Sequence, residues 1–138
     1  MALGGGLVRL RTERRDAERR AIERALGSLG WGPAHPVVAR NFATRLLGMT
    51  VTPPLDAAGT PHVLAIPRCS AVHTCAMRYP LDIAFAAASG EVLEVHEGVA
   101  PWRFLSCPQA AFTLERASVE VLAGRDVTWD AQQPKAAS

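Results

Sequence analysis

The chain has 138 residues, 49% hydrophobic and 20% charged, with 15 basic side chains against 13 acidic ones. That size and balance point to one folded domain and exclude a largely disordered chain. No apolar run approaches the ~20 residues a membrane-spanning helix requires, and a net charge of +2 does not by itself imply a nucleic-acid partner.

The first ten residues, MALGGGLVRL, do not have the form of a signal peptide: glycines interrupt the apolar stretch and the arginines follow it. A cytoplasmic location is the expectation, with export if an upstream start codon adds a leader. Three cysteines, Cys69, Cys75 and Cys107, form an odd set unlike the disulfide framework of a small secreted domain. Lys135 is the only lysine, so basic charge here is almost entirely arginine.

Residues 12–29 read as a helix. Thr12 serves as its expected N-cap, with Glu13 and Asp16 at the positive end of the helix dipole. Ala21, Ile22, Ala25, Leu26 and Leu29 share one face, and arginines and acids cover the other. Gly27 or Gly30 supplies the left-handed residue that ends it. The apolar stripe is narrow and rich in alanine, so weak docking is expected. Residues 9–26 hold seven arginines and four acids. Because acids and arginines at helical spacing pair with one another, a solvated face is favoured over a nucleic-acid arm, and docking of a partner protein through helix 12–29 is a third reading. Gly4-Gly5-Gly6 follows no strand and reads as flexible sequence, not as a phosphate loop.

Trp31 to Pro36 forms a Pro/Gly linker, which closes an N-terminal extension over residues 1–35. Beyond it, short apolar runs punctuated by Pro and Gly favour strands. The pattern predicts strands near 37–40, 62–66, 69–76, 82–87, 91–96, 111–115 and 126–129, and short helices at 42–48 and 117–123. Ser89-Gly90 marks a tight hairpin turn. A β-domain over 36–129 and a disordered polar tail over 130–138 complete the division.

The segment from Leu64 to Phe85, LAIPRCSAVHTCAMRYPLDIAF, carries the chemistry. Strand alternation places Cys69, Ala71, His73, Cys75 and Met77 on one face. Thiol, imidazole and thioether together are soft ligands suited to copper(I) or zinc, and Cys107 is a candidate further ligand. Cysteine and methionine are also ordinary core residues, so packing is the competing reading. The spacing C-x3-H-x-C is no standard zinc signature. Asp82 is a candidate ligand-binding residue at a strand mouth, against the plainer role of accepting from loop N–H groups. Glu115 is expected to pair with Arg45 or Arg103, or to form an acid–base pair with Asp82. No Ser-His-Asp signature or glycine-rich phosphate loop is apparent.

Arg45-Leu46-Leu47-Gly48-Met49, Ile66-Pro67-Arg68-Cys69, Val72-His73-Thr74, Met77, Pro80-Leu81-Asp82 and Phe85 together resemble the family known as domain of unknown function 192. The match continues through Pro101-Trp102-Arg103, Cys107, Ala110 and Leu114-Glu115, and covers about residues 37–128. The resemblance implies an all-β fold, an antiparallel β-sandwich or barrel of jelly-roll type, here preceded by a separate helix. It implies no activity. Other members carry Trp-Met-Lys-Asn-Thr where this chain has His73 to Met77, and many look exported.

The functional expectation is a non-enzymatic module with a cleft formed by Arg45, His73, Thr74, Asp82 and Arg103, open to a small anionic ligand or peptide. The paired arginines favour an anionic group through bidentate contacts. The alternative is a copper or zinc protein, or a thiol-active one, built on His73, Cys75, Cys107, Cys69 and Met77. No other cofactor is expected.

Overall fold

A computed structural model of the chain describes residues 3–124. The strand expected at 126–129 and the tail at 130–138 lie outside the described residues. Helix α1 spans Leu3–Leu29 and is followed by strand β1 (His35–Val38), helix α2 (Phe42–Leu47) and a 3-10 turn at Gly48–Thr50. Then come β2 (His62–Pro67), β3 (Ala71–His73), β4 (Leu81–Ala86), β5 (Val92–Val99), β6 (Phe104–Ser106), β7 (Phe112–Ala117) and α3 (Val119–Leu122).

Five strands form one sheet in the order β1-β2-β7-β4-β5, and β3 pairs with β6 in a second. The fold is thus mostly sheet, seven strands in two sheets with an N-terminal helix, and the sheets do not close into a barrel among the described residues. The pairing departs from the antiparallel expectation at one edge, where β1 runs parallel to β2. About two dozen residues, including helix α2, separate the two strands, enough for the crossover that parallel pairing needs.

Both faces of the larger sheet are covered, which is why β4 is buried at every position. On one face Ala84, Ala86, Phe112, Leu114, Val63 and Ala65 pack against Ala21, Ile22, Ala25, Leu26 and Trp31. On the other, Leu64, Ile66, Leu81, Ile83 and Phe85 pack against Met49, Val72, Met77 and Cys107.

The expectation of a loosely attached helix is corrected at the C-terminal half of α1. The small side chains of Ala21 and Ala25 let the helix approach closely, leaving them 2% and 0% exposed. Burial of Ile22 and Leu26 adds roughly 1.5–3 kcal/mol each. The helix also starts earlier than expected, because the glycine run is helical. Thr12 is therefore no N-cap; its hydroxyl donates to the Val8 carbonyl one turn back. The helix ends at Gly30, with φ 67. The Trp31 amide donates to the Leu26 carbonyl and the Gly30 amide to that of Gly27, the bond pair of a Schellman cap.

The hairpin turn falls where expected, between β4 and β5, and Gly90 sits there at φ 93. A Cβ at Gly90 would lie 2.5 Å from the Ala21 carbonyl oxygen, so the turn and α1 are in direct backbone approach. Arg24 Nε donates to the Ser89 carbonyl at 2.7 Å and holds them together.

Strand β3 is shorter than the expected 69–76. At Thr74 the regular pairing gives way: its amide donates to the Arg103 carbonyl (2.9 Å), and its buried hydroxyl donates to the Ala100 carbonyl (2.7 Å) while accepting from the Arg103 amide (2.9 Å). Strand β6, which no sequence pattern suggested, provides the partner for β3.

Candidate functional site

The residues after α2 and those after β3 face each other across a groove of about 570 Å3. Leu47, Met49 and the segment Thr50–Pro54 form one wall; His73, Cys75, Ala76, Met77, Arg78 and Tyr79 form the other. Asn41 starts the first wall by capping α2, its side chain accepting from the Thr44 amide at 2.7 Å. The second wall turns sharply at Ala76, a non-glycine residue at φ 64. Tyr79 O–H contacts the Met49 carbonyl at 3.5 Å, and burial raises its pKa above the usual phenol value.

Beneath the groove lies a recess of about 70 Å3 that shares Leu47, Met49, Thr50, His73, Cys75 and Met77 with it. Arg45, Cys69, Ala71 and Glu115 complete its polar and small lining. Glu115 is only 4% exposed, and among the described residues no hydrogen bond or ion pair reaches its carboxyl. Burial alone pushes its pKa up to about 7. Gly48, at φ 52, makes room for it, since a Cβ there would stand 3.2 Å from Glu115 Oε2. A carboxyl in this state both donates and accepts hydrogen bonds around neutral pH.

The expected soft-ligand face is partly realised. Cys69, Ala71, His73, Cys75 and Met77 all line the recess, although only Ala71 and His73 lie in β3. Cys107 is not with them. It is buried in the core, with its amide donating to the Ser70 carbonyl at 2.7 Å. Among the described residues no group of three or more His, Cys, Asp or Glu side chains is placed to hold a metal ion. Cys75 is exposed, Cys69 half-buried and Cys107 buried, all as free thiols. His73 Nδ1 accepts from the Cys75 amide at 3.3 Å.

The five residues of the expected cleft separate. Arg45 and His73 line the recess. Arg45 is already engaged, donating to the Pro67 carbonyl at 2.6 Å and to that of Arg68 at 3.3 Å. Thr74 is the buried loop latch described above, and Arg103 meets it through its backbone and lines neither groove nor recess. Asp82 is on the opposite sheet face, because it pairs in register with Arg116 while its neighbour Ile83 pairs with Glu115. Its Oδ2 receives Arg116 Nε at 3.0 Å and its Oδ1 the Gly98 amide at 2.9 Å. The Arg116 guanidinium in turn covers the Trp31 ring, 4.4 Å from its centroid. Asp82 thus secures α1 and β5 to the sheet, and the Asp82–Glu115 and Glu115–Arg pairings are not formed among the described residues.

The Thr50–Pro54 wall carries no sequence signal beyond Pro53-Pro54, and for Glu115 the sequence suggests Arg45, Arg103 or Asp82 as partner, none of which it meets among the described residues.

The family model for DUF192, described as "Uncharacterized ACR", matches residues 34–131. The chain belongs to the DUF192 family. The match includes the whole groove and leaves out α1 entirely. Among solved structures, a protein of unknown function from Novosphingobium aromaticivorans is similar over 65% of this chain and 69% of its own, at 17% identity and TM-score 0.51. A proposed transcription regulator from Sinorhizobium meliloti is similar over 67% of this chain and 76% of its own, at 19% identity and TM-score 0.52. At such identities the likeness concerns the fold alone. A search of curated proteins finds no match. No helix among the described residues is long and apolar enough to cross a membrane.

Proposed function

We propose that this DUF192 chain is a non-enzymatic module that binds a small ligand or peptide segment in the groove between Met49 and Tyr79, with Glu115 as the polar anchor beneath. The observation that carries this reading is the buried Glu115 carboxyl. It has no protein partner among the described residues, yet it borders a recess open to a groove of small-molecule size. Burying a carboxyl without a partner costs several kcal/mol at most positions, and a ligand's amide or amine would recover that cost. Apolar walls from Met49, Val51, Pro54 and Met77 would hold the ligand's body. The anionic ligand expected from paired arginines loses its support at this site, since Arg103 is elsewhere and Arg45 is engaged.

The chain has three methionines, two of which line the groove, so methyl-labelled methionine resonances report directly on it. Small amides and amines titrated into the labelled protein should shift Met49 and Met77 and leave Met1 unmoved. Glu115→Gln or His73→Ala should weaken the best of these probes about tenfold. If no probe moves both groove methyls, the module reading fails.

The metal or thiol reading has one observation in its favour, the convergence of Cys69, His73, Cys75 and Met77 on one recess. It predicts that copper(I) or zinc is retained against a chelator and lost in His73→Ala. Absence of retention removes it.

A further inference from the structure

We propose that a second site, a cleft of arginines between α1 and the sheet edge, binds a small molecule bearing two or more adjacent phosphate groups. The cleft has a volume of about 580 Å3 and gathers Arg11, Arg14 and Arg15 of α1, Arg40 after β1, Arg45 of α2 and Arg68 after β2. Glu18 is the single carboxylate among the lining residues, and Arg40 Nη2 takes it at 2.9 Å. Arg11, Arg14, Arg15 and Arg68 have no carboxylate within reach among the described residues.

The distribution of pairs along α1 sharpens the point. Outside the cleft, Arg9 pairs with Glu13, Arg19 with Asp16, and Arg24 donates to Ser89. The spacing 11, 14, 15, 18 places one helix face toward the cleft, and that face is where the uncompensated charge collects. Elements far apart in sequence supply the other three arginines, so the fold itself brings the six together. Guanidinium stays charged at every accessible pH, and its planar fork matches phosphate oxygens two at a time. Six such groups repel one another in a confined cleft, and a bound oligoanion would offset that repulsion. The arginines converge on a concave volume of metabolite size instead of spreading along a stripe. This geometry favours a compact diphosphate over a nucleic-acid strand or a membrane surface. The site is separate from the groove. Arg45 alone lines both the cleft and the recess beneath the groove, and its two backbone acceptors hold it at that border.

Inorganic pyrophosphate is the probe, titrated calorimetrically into the full chain at low salt, where exposed charges are least screened. One equivalent should bind, about tenfold more weakly in the double variant Arg14→Ala/Arg15→Ala and in Arg68→Ala. Arg14 and Arg15 are exposed helical positions where alanine favours helix, and Arg68 is an exposed turn residue, so folding is retained. Arg20→Ala, on the same helix but outside the cleft, should bind like the parent. Any of four results overturns the proposal: no binding of pyrophosphate, equal loss in Arg20→Ala, equal binding of citrate, or binding of a single-stranded oligonucleotide in place of pyrophosphate.

Discussion

Replacement of Glu115 by glutamine tests the physical state on which the groove reading rests. The folded protein holds the Glu115 proton up to about pH 7, whereas an ordinary glutamate releases it near 4.5. Between those values the folded state binds more protons than the unfolded chain, so stability falls as pH rises. The contribution is intact below pH 4.5, declines through the interval and is fully lost above 7. At about 1.4 kcal/mol per pH unit the whole loss amounts to ~3 kcal/mol. Glutamine is close in size and cannot ionise. The variant should therefore nearly match the parent at pH 5, where the loss has only begun, and exceed it by about 2–3 kcal/mol at pH 8. In a chain of this length that gain raises Tm by roughly 10 °C. Urea unfolding of both proteins across this range measures it, and the other titrating groups cancel in the difference. Parallel pH profiles for parent and variant would refute a buried, unpartnered carboxyl at this position.

Three further predictions concern the opposite sheet face. Asp82→Asn leaves the Arg116 guanidinium without its charge partner, and removal of one member of so buried a pair should cost about 3–5 kcal/mol in urea unfolding. Methyl shifts of Met49 and Met77 on ligand titration should not change in that variant, because Asp82 lies across the sheet from the groove. Gly90→Ala forces a Cβ against the Ala21 carbonyl and strains a positive φ, so a loss of more than about 2 kcal/mol is expected; calorimetric Tm reads it directly. Deletion of residues 1–30 bares Val63, Ala65, Ala84, Ala86 and Leu114. The remainder should lose cooperative thermal unfolding by circular dichroism; a sharp transition near the parental Tm would show that the sheet folds without the helix.

The readable part of the fold is the part written in local chemistry. β2 and β4 are apolar runs beside Pro and Gly, β5 and β7 mix apolar with polar residues, and the expected strands overlap all four. Asn41 and Gly48, which bound α2, are ordinary cap residues. Strand β3 was overextended because Cys75 and Met77 keep the alternation going. What ends the strand is the Thr74 hydroxyl, whose partners at 100 and 103 are remote in sequence. Strand β6 gave no signal, since it is three residues long and exposes Phe104 at 71%. The docking of α1 was underestimated because alanine looks weak in a sequence, yet a small side chain is what close helix–sheet approach demands. At the site, the soft-ligand face was visible in the alternation from 69 to 77. The role of Glu115 was not, because it depends on strand register, on Gly48 standing aside and on Arg45 being occupied by carbonyls.

Among the described residues the sheet order leaves β1 and β5 as its two edges, and each discourages another copy from adding a strand. Pro36 removes a backbone donor from β1, which is only four residues long. The longer β5 exposes Leu93 and Val95, the kind of surface that seeds fibrils. Glu94 and Glu97 lie within that strand and Glu91 just before it, so self-pairing would crowd carboxylates together. Colloidal behaviour is therefore set by a few acidic residues on an outer strand: their neutralisation, not loss of the core, is the change that should turn a monodisperse solution into one prone to aggregation.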